Sequence, residues 1–180
     1  EAGLCGIPTP EDYEGLGLGY LDYAVALEEI AKVSASYGVS VAVTGLPQVI
    51  LATYGSDAQK AQWLSGLAKG ELLGAFALSE PGSGSDAGSL KTTAKKDGDT
   101  YILRGTKFWI THGGEADLYV VMARTGGEGP KGISSFLVPG DSPGLSFGKK
   151  EEKMGLRSSP TVELILDDVR IPAENLLSEE

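Results

Sequence analysis

The sequence predicts an α+β, multidomain fold: a helical segment over residues 1–70, then an antiparallel β-barrel over residues 71–172. Three observations carry this. Apolar residues recur at spacings of three and four up to Gly70, the mark of helices with one buried face. Beyond Gly70, about eight short apolar runs alternate with turn residues, as in all-β sandwiches and barrels. No helical periodicity is interleaved among those runs, which excludes a parallel α/β sheet.

Residues 1–19, with Pro8, Pro10 and the alternation Gly15-Leu16-Gly17-Leu18-Gly19, read as loop. Residues 20–36 read as a helix with Tyr23, Leu27, Ile30 and Ala31 on one face and a Glu28–Lys32 pair on the other. Residues 38–54 read as a buried helix, kinked where Gly45 and Pro47 interrupt it. Ser56-Asp57-Ala58-Gln59 is a capping box. The helix it opens turns Trp63, Leu64, Leu67 and Ala68 inward, and Gly70 stops it.

Strands are expected at 73–78, 90–96, 100–105, 107–111, 118–124, 133–138, 145–149 and 162–166. Asp97-Gly98 forms a hairpin turn, and 125–130 a glycine-rich loop. Ile171-Pro172 begins a polar exit segment over 173–180.

Composition removes several function classes. One cysteine, Cys5, excludes an internal disulfide. One histidine, His112, excludes a His-pair metal site, so no metal is expected. The net charge of −10 argues against a general nucleic-acid binder. No apolar run approaches the roughly 20 residues that span a bilayer, and no signal peptide is visible. A cytosolic protein, or the mature form of an organelle protein, is expected.

Phe76-Ala77-Leu78-Ser79-Glu80-Pro81-Gly82-Ser83-Gly84-Ser85-Asp86 is an apolar run ending in small and turn-forming residues. Gly82, Gly84 and Gly88 are able to take positive φ and to admit a close neighbour. Ser79, Ser83 and Ser85 add hydroxyls. The stretch is either a cradle for a polar, anionic ligand or a solvated turn. Its G-x-G-x-x-A spacing invites a dinucleotide reading, but that needs a helix directly after the glycines and an acid about 20 residues on. A strand pattern follows instead, and Ile102 stands where the acid belongs. No P-loop is present, and a Ser85–His112 hydrolase site has no nucleophile elbow to support it.

Phe108-Trp109-Ile110-Thr111-His112-Gly113-Gly114 is the second unusual stretch. Trp109 and Thr111 share a pleat face. A planar ligand stacked near Trp109 and bonded by Thr111 is one reading; a core tryptophan beside a turn is the other.

Together these two stretches resemble the acyl-CoA dehydrogenase family. The likeness extends to Glu11–Leu18, Tyr54–Lys60, Lys150–Ser159 and Asp168–Asn175, in family order, and is nearest to short-chain, butyryl-CoA-type members. It implies a helical N-terminal domain, a middle β-barrel, and a C-terminal four-helix bundle that this chain lacks. The catalytic glutamate belongs to that bundle, so no catalytic residue is expected here, and the isolated chain is expected to be inactive.

The resemblance implies FAD as cofactor, an acyl-CoA substrate, electron-transfer flavoprotein as acceptor and a homotetramer. The cell compartment is cytoplasmic in a bacterium and the mitochondrial matrix in a eukaryote. The reaction removes a proton from the α carbon and a hydride from the β carbon of an acyl thioester. By the same resemblance, Phe76, Ala77, Leu78 and Ser79 meet the flavin pyrimidine edge. Gly84 and Ser85 approach the pyrophosphate, Ser85 also touches substrate, and Trp109, Ile110 and Thr111 flank the flavin ring. An acyl-CoA oxidase or nitroalkane-oxidase-like relative, and a non-catalytic fragment that binds flavin or acyl-CoA, are the alternatives. The chain departs from the family in carrying His112 where Asn is usual, and in Pro47 on a shortened apolar helix.

Overall fold

The structure is a computed structural model, and it describes residues 3–177. The expected exit segment therefore lies partly outside the described residues.

Three helices come first: α1 (Tyr20–Val33), α2 (Ala35–Tyr54) and α3 (Asp57–Lys69). α1 is shorter than expected, because Ser34 leaves the helix in an extended conformation and caps α2, its Oγ accepting from the Tyr37 amide. α2 keeps Pro47 inside it and buries Gly38, Val41, Thr44, Gly45, Pro47, Gln48 and Leu51. Its two small buried residues admit α1 closely: a Cβ on Gly45 would meet the Tyr23 hydroxyl at 2.6 Å. By length and composition α2 could cross a membrane, contrary to the expectation from sequence. Here it packs between α1, α3 and the first strand.

α3 forms as its capping box dictates. Ser56 Oγ accepts from the Gln59 amide at 3.2 Å, and Gln59 Oε1 accepts from the Ser56 amide at 2.9 Å. Gly70 ends the helix at φ +74, where a side chain would be strained. Leu64, Leu67 and Ala68 are buried, with Trp63 half-buried beside them.

Eight strands follow: β1 (Gly74–Ala77), β2 (Thr93–Asp97), β3 (Thr100–Thr111), β4 (Leu118–Arg124), β5 (Ile133–Pro139), β6 (Leu145–Phe147), β7 (Thr161–Pro172) and β8 (Leu176–Leu177). They form one sheet in the order β6-β7-β3-β2-β4-β5-β8, with β1 on β4. The expected antiparallel barrel needs two corrections. The ladder does not close on itself, and it is mixed: β1 runs parallel to β4, and β2 touches β4 in parallel at Thr93 and Arg124.

The separately expected strands 100–105 and 107–111 are one strand, because the chain passes Gly105 without leaving the ladder. β7 likewise runs on to Pro172, past the expected end at 166. β3 and β7 carry two register shifts, one at Leu103–Gly105 and one at Lys107–Ile110. Such irregularities re-aim side chains.

One core lies among β1–β5 and β7, around Tyr101, Leu103, Tyr119, Phe136, Val138 and Leu164. The second joins α2 and α3 to the other face of β4 and β5, through Leu51, Leu64, Leu67, Leu118, Val120 and Leu137. β4 feeds both, alternate residues facing each way, as a period of two requires.

Candidate functional site

The loop between β1 and β2 and the distal end of β3 meet. The Phe108 amide donates to Ser79 O at 2.8 Å, fixing the start of the loop one residue from Trp109. Pro81 and Gly82 form the tip of a tight turn closed by Glu80 N to Ser83 O at 2.6 Å and Ser83 N to Glu80 O at 3.1 Å. Ser83 Oγ then donates to Asp86 O at 2.8 Å. A 3-10 turn, Ala87–Ser89, follows instead of an α-helix, which removes the dinucleotide reading.

The loop glycines do not use positive φ, as the sequence allowed them to. Two of them leave bare surface: nothing lies within 4 Å of a Cβ placed on Gly82, and only Ser79 Oγ, at 4.0 Å, near one on Gly84, whereas Gly88 packs against Pro130. The amides of Ser79, Gly84 and Ser85 make no hydrogen bond among the described residues. Free donors beside bare backbone are what an anionic group requires.

Trp109 is not a core residue. It is 64% exposed and sits at φ +57, within the register shift of β3. A bulky residue at positive φ is strained, and such strain gathers at functional sites. Phe108 supports it edge-on, ring centroids 6.2 Å apart. Beyond the shift the ladder resumes: Ile110 is buried and pairs with Val162, and half-buried Thr111 pairs with Thr161. Phe76 and Ala77 lie on β1, whose inner face is buried, with Leu78 just beyond it.

His112 is buried and structural. Its Nδ1 donates to Gly74 O at 3.0 Å, and its carbonyl receives the Glu115 and Ala116 amides and the Tyr119 hydroxyl. Burial pushes the Tyr119 phenol up to about 12, so it stays a donor. Among the described residues there is no group of three or more His, Cys, Asp or Glu side chains placed to hold a metal.

Two polar anchors escaped the sequence reading. Glu80 and Lys107 form an ion pair at 2.8 Å, with side chains 6% and 0% exposed. Glu80 also accepts the Lys91 amide at 2.7 Å and the Thr92 amide at 2.9 Å, so one carboxylate joins both ends of the loop. Burial works to raise its pKa, but the Lys107 ammonium and the two amides outweigh burial and hold it below the ordinary glutamate range. Burial lowers the Lys107 pKa, with Glu80 offsetting part of the shift.

The second anchor is Arg124. It donates to Gly88 O at 2.8 Å, to Leu90 O at 3.0 and 3.1 Å, to Gly129 O at 3.1 Å and to Gly127 O, binding the loop to the glycine-rich 125–132 segment. The signal for Lys107 was in the sequence. It shares the parity of Tyr101 and Leu103, so it points inward, and a buried ammonium needs a carboxylate.

A helical unit on an open mixed sheet, with a loop hydrogen-bonded to a strand end that exposes a tryptophan, defines an α+β class of fold. The sequence relationships complete the assignment. Residues 1–71 match the acyl-CoA dehydrogenase N-terminal domain and residues 75–169 the acyl-CoA dehydrogenase middle domain. The chain belongs to the acyl-CoA dehydrogenase family.

It is 50% identical to the short-chain specific acyl-CoA dehydrogenase of mouse (Mus musculus) mitochondria over 99% of this chain and 44% of that protein. The butyryl-CoA dehydrogenase of Megasphaera elsdenii superposes with a TM-score of 0.95 at 42% identity, over 99% of this chain and 48% of that one. A Mycobacterium smegmatis glutaryl-CoA dehydrogenase in complex with FADH2 gives 0.90 at 38% identity, over 98% of this chain and 45% of that one. The chain thus spans less than half the length of these relatives.

Proposed function

We propose that this chain carries the flavin-binding part of an FAD-dependent acyl-CoA dehydrogenase, which introduces a double bond between the α and β carbons of a short acyl-CoA thioester. The observation that carries this is a loop with free amides at Ser79, Gly84 and Ser85 whose first residue is hydrogen-bonded to Phe108, the neighbour of the exposed, strained Trp109. FAD fits this set in chemistry: a pyrophosphate and a carbonyl-rich ring edge need donors, and a planar ring needs an aromatic face. When bound, FAD would supply the hydride-accepting chemistry that no amino-acid side chain offers.

The chain's own residues bind and orient. Ser79, with the backbone of Phe76, Ala77 and Leu78, faces the pyrimidine edge. Gly84 and Ser85 face the pyrophosphate, and Ser85 also the substrate. Trp109 would cover one ring face, with Ile110 and Thr111 flanking the ring and Thr111 as its hydrogen-bond donor. Donors preset for growing negative charge lower the barrier without reorganising. Residues 1–70 serve as part of the helical domain, 71–172 as the middle domain, and 173–180 as the start of a link to the catalytic glutamate's domain. A tetramer and electron-transfer flavoprotein as acceptor follow from family membership, as does a mitochondrial or bacterial cytoplasmic location.

The test is anaerobic titration of the full-length protein, loaded with FAD, with butyryl-CoA. Bleaching of the visible flavin band, with turnover on an artificial acceptor faster than on oxygen, is expected. A colourless protein refutes the reading, and turnover on oxygen alone converts it to an oxidase.

A further inference from the structure

Two consecutive carbonyls at the loop entrance are held by two consecutive residues of β3. Lys107 Nζ donates to Leu78 O at 3.0 Å, and the Phe108 amide donates to Ser79 O. No described peptide bond is cis. In a trans peptide the C=O and N–H point opposite ways. With the Leu78 oxygen drawn toward the buried ammonium, the N–H of the same peptide unit, that of Ser79, points away from the ion pair. It has no partner among the described residues.

An ammonium on a peptide oxygen polarises the whole amide, and hydrogen bonds in such a chain strengthen one another. The pair is also a costly way to fill space. Two charges buried together stabilise no better than apolar residues of similar volume.

We propose that Lys107, held in place by Glu80, is a positioning residue that aims and strengthens the Ser79 N–H as a donor to the electron-rich edge of the bound flavin. This rests on the flavin reading above. Lys107 acts through the Leu78–Ser79 peptide and touches no cofactor atom itself. Its effect falls on the reduced, more negative flavin more than on the oxidised one, so it raises the reduction potential.

The test uses the full-length protein as Lys107→Met, Glu80→Gln and the double variant. Apoprotein Tm, FAD Kd and flavin midpoint potential are measured for each. Lys107→Met leaves Glu80 buried and unpaired, so Tm falls. The double variant removes both charges, so Tm recovers. FAD binding does not recover with it: Kd stays roughly tenfold or more above wild type, and the midpoint potential stays lower, because Leu78 O still lacks its donor. If Lys107→Met fails to fold, the double variant and Glu80→Gln decide. Glu80→Gln, which keeps the ammonium on Leu78 O, is expected to hold a potential nearer wild type than the double variant.

A double variant with wild-type Kd and potential overturns the inference and leaves the pair as packing. A wild-type protein that binds no FAD overturns the flavin reading first, and the inference with it.

Discussion

Glu80 and Lys107 face each other at 2.8 Å with almost no solvent contact. The carboxylate is held below its ordinary pKa, so the folded state binds that proton less readily than the unfolded chain. The stability it contributes is complete above the unfolded glutamate pKa, near 4.3, and is lost as pH falls through the folded value. Glu80→Gln is therefore expected to flatten the acid limb of a Tm-against-pH profile while lowering Tm at neutral pH. An acid limb as steep as that of wild type would contradict this.

Gly105 lies at φ +149 against Thr92, and a Cβ there would meet Thr92 Oγ1 at 2.5 Å and Thr92 Cα at 2.8 Å. Backbone cannot give way as a flexible side chain does. Gly105→Ala is expected to cost about 2–3 kcal/mol. Gly98→Ala, at φ +60 with open space around it, should cost about 1 kcal/mol. Denaturant titration of both variants compares them directly.

Gln59 works at both ends. Its Oε1 closes the capping box, and its Nε2 donates to Glu174 O at 2.7 Å and Leu176 O at 2.9 Å. Gln59→Ala is expected to cost about 2–4 kcal/mol. Gln59→Glu keeps the cap but sets a buried carboxylate oxygen against both carbonyls, so its destabilisation should be at least as large as that of Gln59→Ala. Hydrogen exchange at residues 173–177 should quicken in both.

Trp109 contributes little packing, so Trp109→Ala should leave apoprotein stability within about 0.5 kcal/mol. If it stacks on the flavin, FAD Kd should rise roughly tenfold. Thr111→Ala should weaken flavin binding or slow flavin reduction. Fluorescence titration and stopped-flow reduction read these out; wild-type values in both would remove the two residues from the site.

What the sequence made legible was local. The Ser56–Gln59 box and Gly70 delimit α3, and β4 falls on the expected Leu118–Arg124. What it hid was set by distant partners. Gly105 looks like a strand break until β7 is seen to carry the ladder past it. The parallel seat of β1 on β4, and the failure of the sheet to close, depend on residues far apart in the chain. At the site, the glycines and Trp109 announced themselves by residue type. Lys107 announced itself only through its inward strand parity, and nothing local to Glu80 marks it as the carboxylate that Lys107 requires.

The parallel seat of β1 also sets a timetable. Among the described residues β4 is its one ladder partner, so Phe76 and Ala77 cannot enter the sheet until Leu118–Val121 has left the ribosome. Through that interval the strand and its donor-rich loop lack the sheet on a nascent chain, and α2 is the earlier element packed on the strand. Chaperone dependence during synthesis should therefore be governed by how quickly residues 78–117 are translated.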